Sequence, residues 1–524
     1  MKKKRKTPKP VFKEYNQDQL LLIPPSLEEL IPKNHVVRTI NKILDSINLD
    51  KIISKYRGGG CSSYHPRMLI KVMIYAYTQK IYSSRFIAKA LRENIQFMWL
   101  SGGNKPDFRT INRFRSTILK DSLEPIFRQV VEVLLKTGYI SMENYFLDGT
   151  KIEADANKYS FVWKKSTIKY KSRLQEKVSE LLDRIDVINT DENDRYGDKD
   201  LEELGEALQI DSVLIEKAVQ ELNDKLEKLE ESEETDEQKN ISDDMEKYLK
   251  KMKEYEGKEK ICGKRNSYSK TDHDATFMRM KEDHMRNGQL KAGYNVQIGT
   301  ENQFIIGYSI HQKPTDTTTL IPHLEKLKTN MRKFPKNIIA DAGYGSEENY
   351  SYLEECKIRN FVKFNYFYKE QKRKFKNDPF QVENLEYNVK NDEYVCPAGK
   401  ILRYTESRKR ITDNGYEQNL KVYVCEDCRW CRTRIDCHKS KYNRKIEINE
   451  RLNQFKIKAR KNLFSEKGLE LRRKRSVDVE SVFGQIKHNR GFRKFMLRGL
   501  NKVNIEWGLI SLAHNFLKMN SLMA

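Results

Sequence analysis

The sequence predicts an α/β protein built on a mixed sheet flanked by helices, and three observations lead there. Two apolar runs, Tyr145-Phe146-Leu147 and Ile338-Ile339-Ala340, each deliver an aspartate and then a glycine, as Asp148-Gly149 and Asp341-Ala342-Gly343. Between them, Ala292 to Gly299 and Phe304 to Ile310 read as strands joined through Thr300-Glu301-Asn302-Gln303, a hairpin. Helical spacing then alternates with strand signals. A helix is expected from Thr317 to Met331, another from Ser346 to Cys356, and a strand at Phe361 to Phe364. The resulting order, three strands, helix, strand, helix, strand, is that of a sheet covered by helices.

Composition narrows the class of function. The chain has 524 residues, enough for two to four domains, and 38% hydrophobic content fits a globular protein rather than a fibre or a peptide hormone. Lys and Arg number 99 against 75 Asp and Glu, a formal charge of +24 that calls for a polyanionic partner. Nucleic acid fits better than membrane, because no apolar run reaches the roughly 18 residues that span a bilayer. Met1-Lys2-Lys3-Lys4-Arg5-Lys6 lacks the apolar segment of a secretory signal, so an intracellular, cytoplasmic protein is expected. Of eight cysteines, Cys61, Cys262 and Cys356 are scattered, while Cys396, Cys425, Cys428, Cys431 and Cys437 share one neighbourhood, as metal-binding thiols do in a reducing compartment.

In chain order, residues 1–20 form a basic arm and residues 21–135 a helical domain. Met68 to Tyr77 is an apolar helix, and Ser83-Ser84 caps a segment with Phe86, Ile87, Ala90 and Leu91 at helical spacing. A further helix begins near Asp107. Its Arg109, Asn112 and Arg113 share a face opposite Ile111, Phe114 and Ile118, the arrangement of a DNA-reading helix, with a structural bundle bearing solvated arginines as the alternative. Residues 140–165 and 259–374 supply the first parts of the sheet. Between them, Ser166 to Lys258 holds 16 Lys or Arg against 28 Asp or Glu, so the polyanion-binding surface lies elsewhere. Ile215, Val219, Leu222, Leu226 and Leu229 recur there at heptad spacing, which predicts a helical hairpin closed on itself.

Residues 375–445 form a cysteine-rich insertion and residues 446–524 a helical end that completes the sheet. In this last part Val479, Val482, Phe483 and Ile486 set a helical stripe, which places Glu480 and Lys487 two turns apart on one side. Arg475 precedes that stripe, and Arg490, Arg493 and Lys494 follow it, so a phosphodiester backbone is the expected neighbour. Glu480 alone is an ordinary surface glutamate, and Asp148-Gly149 alone also reads as a turn.

Taken together, these residues resemble the DDE transposases of bacterial insertion sequences, over nearly the whole chain. Asp148 in Leu-Asp-Gly-Thr-Lys, Asp341 in Ala-Asp-Ala-Gly-Tyr and Glu480 in Val-Glu-Ser-Val-Phe-Gly-Gln-Ile-Lys match the three acids, Lys487 the lysine of Glu-x6-Lys, and Tyr294, Asn295 and Gln297 the Tyr-Asn-x-Gln strand. His65-Pro66, Ser84-Arg85 and Pro106-Asp107-Phe108-Arg109-Thr110 look like the helical domain that precedes the catalytic domain in one subgroup. The resemblance implies a ribonuclease H-like core, Mg²⁺ or Mn²⁺ held by Asp148, Asp341 and Glu480, and double-stranded DNA bound by a homodimer. Arg109, Arg113, Arg475, Lys487, Arg490, Arg493, Lys494 and Asn295 are the expected DNA contacts, in a bacterial, nucleoid-associated protein. It also favours Cys396, Cys428, Cys431 and Cys437 as a structural zinc set, with metal-free thiols as the alternative. One departure stands out: the family's Tyr-x2-Arg-x3-Glu pattern would need Tyr at 473 and Arg at 476, where this chain has Arg473 and Ser476, leaving Arg472 or Arg475 for the arginine's part. A nuclease or resolvase without strand transfer, or an inactive DNA-binding regulator, are the other readings.

Overall fold

The computed structural model describes residues 26–56, 62–196, 210–226, 233–280 and 289–523. The basic arm and Cys61 lie outside the described residues, as do Leu229 and the side chain of Leu226.

A six-stranded mixed sheet forms the centre of the molecule. Its strands are β1 (Asn144–Glu153), β2 (Thr276–Arg279), β3 (Leu290–Glu301), β4 (Phe304–His311), β5 (Asn337–Ala340) and β6 (Arg359–Val362). The order is β2-β3-β1-β5-β6, with β4 also paired to β3. β1 runs antiparallel to β3 and parallel to β5, which is parallel to β6. β3 and β4 form the expected hairpin, the helix Leu320–Met331 leads from β4 to β5, and the helix Glu347–Glu355 joins the parallel pair β5 and β6. This is the ribonuclease H-like arrangement. The strands that the sequence marks by continuous apolar runs are buried on both faces, which is why their residues do not alternate.

One feature of β1 differs from the sequence reading. Asp148-Gly149 is not a turn: the strand continues to Glu153, with Gly149 opposite Gln297 of β3. Glycine is needed there because a Cβ would lie 2.2 Å from Gln297 Nε2 and 2.8 Å from Asp316 Oδ1.

The amino-terminal helices, including Pro66–Thr78 and Leu123–Lys136, share one continuous hydrophobic core with the sheet. The link is the last helix, Leu500–Met523, whose Trp507, Leu509, Ile510, Leu512, Ala513 and Phe516 are fully buried. It packs against both Pro66–Thr78 and β4. Among the described residues no helix is long and apolar enough to cross a membrane.

Among the described residues the acidic insertion contains three helices, Lys164–Tyr196, Ser212–Leu226 and Glu233–Cys262, rather than the two of a hairpin. Ile215, Val219 and Leu222 of the heptad seam bury against Leu174, Val178 and Met245 within the chain. The cysteine-rich insertion carries a five-stranded antiparallel sheet dominated by a long hairpin, Ile401–Ile411 with Glu417–Cys425.

Candidate active site

β1 and β5 place two aspartates side by side. The parallel register pairs Phe146 with Ile339, and Asp148 and Asp341 each stand two residues further on. Because side chains repeat every second residue along a strand, both leave the sheet on one face. Asp148 is 7% exposed and its Oδ1 accepts the Gly149 N–H at 2.9 Å. Asp341 caps the single turn Ala342–Tyr344 by accepting the Gly343 N–H at 2.9 Å, which fixes its carboxylate at the strand's end.

Glu480 arrives from the helical stretch that begins at Glu466. Between Ser476 and Glu480 this helix widens into a π turn. Inside it, buried Asp478 accepts the Thr300 hydroxyl at 2.7 Å and the Gln303 N–H at 3.1 Å, tying the turn to the β3–β4 hairpin. Burial raises the Asp478 carboxyl above its ordinary range, while these two donors and Lys474 act against that shift.

The three acids meet at Arg475. Its guanidinium lies 3.1 Å from Asp148, 3.9 Å from Asp341 and 3.0 Å from Glu480. This resolves the departure from the Arg-x3-Glu spacing. Arg475 is five residues before Glu480 rather than four, and a π turn pairs residues five apart, so the extra residue is absorbed. The same widening changes the expected face: the Glu480 side chain is 54% exposed, whereas Lys487, beside a second π turn at Gln485–Asn489, is buried. The two do not point the same way.

A fourth carboxylate, Asp316, escaped the sequence reading. Its Oδ1 accepts the Asn295 amide at 2.8 Å and the Gln297 amide at 2.9 Å. Gln297 in turn donates to Asn295 at 3.0 Å and accepts the Tyr344 hydroxyl. The Tyr344 phenol is held well above its ordinary range, first by burial and then by the charges of Asp316, Asp148 and Asp341. The available signal was the pair Asn295 and Gln297, two polar residues on one face of a buried strand that require polar partners.

The expected DNA contacts divide into two groups. Arg109 and Arg113 are exposed on the helix Phe108–Arg113, whose cap is Asp107, and Arg493 and Lys494 are exposed beside β1. The segment at 493–495 joins the edge of β1 through Glu153 N–H to Arg493 O at 3.1 Å and Phe495 N–H to Glu153 O at 2.8 Å. Lys494 pairs with Asp155 at 2.8 Å. Four others are buried. Asn295 is buried and spends its amide on Asp316, and Arg475 is buried among the acids. Lys487 is buried, and so is Arg490, whose guanidinium burial pushes down to about 10. Their side chains face the interior because the π turns rotate this stretch relative to a regular helix.

The cysteines Cys396, Cys425, Cys428, Cys431 and Cys437 line one enclosed cavity of about 10 Å³ together with His438. Lys400 N–H donates to Cys396 Sγ at 3.3 Å, Arg444 N–H to Cys428 Sγ at 3.4 Å and Arg444 Nη1 to Cys437 Sγ at 3.1 Å. Cys425 and Cys437 feel Cys396 and Cys428, whereas the groups acting on Cys431 are Thr433, Lys400 and Arg434. Cys425, outside the set that the resemblance favours, lines the same cavity. Both ring nitrogens of His438 are buried with no hydrogen-bond partner among the described residues.

Among the described residues no group of three or more His, Cys, Asp or Glu is arranged to hold a metal ion. At the acids, Arg475 lies within 4 Å of all three carboxylates. Their donor chemistry nevertheless fits a hard divalent cation: carboxylate oxygens from three separate elements already surround one positive charge.

A ribonuclease H-like sheet with acids carried by two adjacent strands, preceded by a helical unit, is the build of a DDE-type transposase. Residues 395–520 match the family described as Transposase DDE domain, and residues 25–117 match Transposase domain (DUF772). These two matches are typical of insertion-sequence DDE transposases with an amino-terminal domain of this kind. The first match contains Glu480 and the cysteine cluster; Asp148 and Asp341 lie outside it. No curated protein matches the chain.

Proposed function

We propose that this transposase binds the terminal inverted repeats of its element, cleaves there to expose 3′-hydroxyls, and joins them to target DNA, with Asp148, Asp341 and Glu480 as the reacting site. The observation that carries the reading is the convergence of these three carboxylates, from two strands and a helix, on the single guanidinium of Arg475. Asp148, Asp341 and Glu480 would hold Mg²⁺ or Mn²⁺. Bound there, a divalent cation supplies Lewis acidity and lowers the pKa of an attacking water or hydroxyl.

The chain's own residues do the positioning. Asp148 is held rigid by its strand and by burial, while the more exposed Asp341 and Glu480 leave the site open to a phosphodiester on one side. Tyr344, Gln297 and Asn295 fix Asp316 against the same face. Arg493 and Lys494, beside β1, and Arg109 and Arg113, on the amino-terminal helix, offer positive charge to the DNA backbone.

Incubation of the full chain with Mg²⁺ and a duplex carrying the terminal repeats tests this. Joined products are expected, and Asp148→Ala should abolish both cleavage and joining while leaving the duplex bound. Cleavage without joining would make the protein a nuclease, and binding alone a regulator. Joining that survives Asp148→Ala would overturn the site.

A further inference from the structure

Arg475 is as buried as Asp148, and its guanidinium lies within 4 Å of every one of the three acids. Its guanidinium takes two carboxylates through Nη2, Asp148 and Asp341, and one through Nη1, Glu480. Its Nε is buried with no hydrogen-bond partner among the described residues. A guanidinium is permanently charged and cannot leave such a pocket by losing a proton. It ends the helix Glu466–Arg475 and directly precedes the π turn Ser476–Glu480, and that turn is anchored by Asp478 on Thr300 and Gln303 rather than by the arginine itself. The backbone can therefore keep its place whether or not the guanidinium stays among the acids.

Two cations that share the same carboxylate oxygens repel one another and cannot both bind at full strength. We propose that Arg475 is an internal counter-cation that occupies the acid site of the DNA-free protein, and that a DNA phosphodiester draws it off, so that metal and DNA load together. The guanidinium is matched to the new partner, since its planar fork binds phosphate as readily as carboxylate. Each carboxylate it releases becomes available to the metal. By linkage, DNA raises the affinity for metal by the factor that metal raises the affinity for DNA.

The inference rests on Asp148, Asp341 and Glu480 being the metal-holding acids, and the experiment separates failure of that reading from failure of this one. Mn²⁺ binding to the full, DNA-free chain is measured from the electron paramagnetic resonance signal of free Mn²⁺. Wild type should bind weakly at this site, Arg475→Gln about tenfold more tightly, within the span of ordinary coupling factors. Arg475→Lys, which keeps the charge but has only one ammonium to place among three acids, should fall between them and gives the answer if Arg475→Gln does not fold. In the Arg475→Gln background, Asp148→Ala should remove the added binding. Added binding that persists in that double variant overturns the metal-holding acids. A site that both Arg475 variants bind no more tightly than wild type overturns the counter-cation and leaves the acids untouched.

Discussion

Replacing Gly149 by alanine tests the packing under the acids. The added Cβ would stand 2.2 Å from Gln297 Nε2, 2.9 Å from Gln297 Cδ and 2.8 Å from Asp316 Oδ1. A contact of that kind is relieved cheaply only if the touching atom can swing away. Gln297 cannot: it is fully buried, donates to Asp316 and Asn295, and accepts the Tyr344 hydroxyl. Moving it breaks two or three hydrogen bonds, each worth about 1 kcal/mol net, with overpacking strain besides, so the loss should be about 2–4 kcal/mol. Urea unfolding followed by tryptophan fluorescence should show the lowered midpoint, and end cleavage should fall because Asp148 and Asp316 border the shifted amide. Gly149→Ala combined with Gln297→Ala should lose less than the sum of the two single losses, since the second change removes the atoms the first one strikes. A Gly149→Ala protein with the midpoint and cleavage of wild type would show that β1 and β3 are not packed as described.

Asp316→Asn keeps an oxygen for the Asn295 and Gln297 amides but removes the charge. It should leave the urea midpoint within about 1 kcal/mol of wild type and raise the Mg²⁺ concentration needed for half-maximal cleavage; an unchanged metal requirement would exclude Asp316 from the site. Glu506, fully buried, accepts the Met496 and Leu497 N–H groups. Burial raises its carboxyl to about 7, with the Arg115 charge and these two donors acting against it. The folded protein thus holds this proton more tightly than the unfolded chain, so the stability that Glu506 contributes is present in acid and is lost as the pH rises through about 7. Between pH 5 and 8, Glu506→Gln should gain on wild type by about 3 kcal/mol in paired urea titrations, and a constant difference would contradict the assignment.

Much of the site was legible because its signals are local. Asp148 and Asp341 end apolar runs, and an apolar run of strand-forming residues is recognisable without its neighbours. Glu480 lies in a helix whose stripe of Val479, Val482, Phe483 and Ile486 is written in adjacent residues. The two π turns were not legible, because a single widened turn leaves that spacing almost intact. They decide that Arg475 reaches the acids and that Lys487 and Arg490 turn inward. Asp316 follows Pro314-Thr315 without an apolar run to mark it, and its meaning depends on Asn295 and Gln297 across the β3–β4 hairpin. The acidic insertion was readable as helical from its heptads, but the number of helices depends on which seams close on one another.

The sequence by itself determined that Asp148 and Asp341 follow strand-forming apolar runs and that Glu480 lies in a helix, since each is a matter of residue type and short-range spacing. Only the tertiary structure decided that Asp148-Gly149 is mid-strand rather than a turn, that Asp316 joins the acids, and that Arg475 sits among them. Those outcomes depend on what a side chain meets across the sheet, and burial of a polar group is settled by the partners it finds there, however far away in the chain they are.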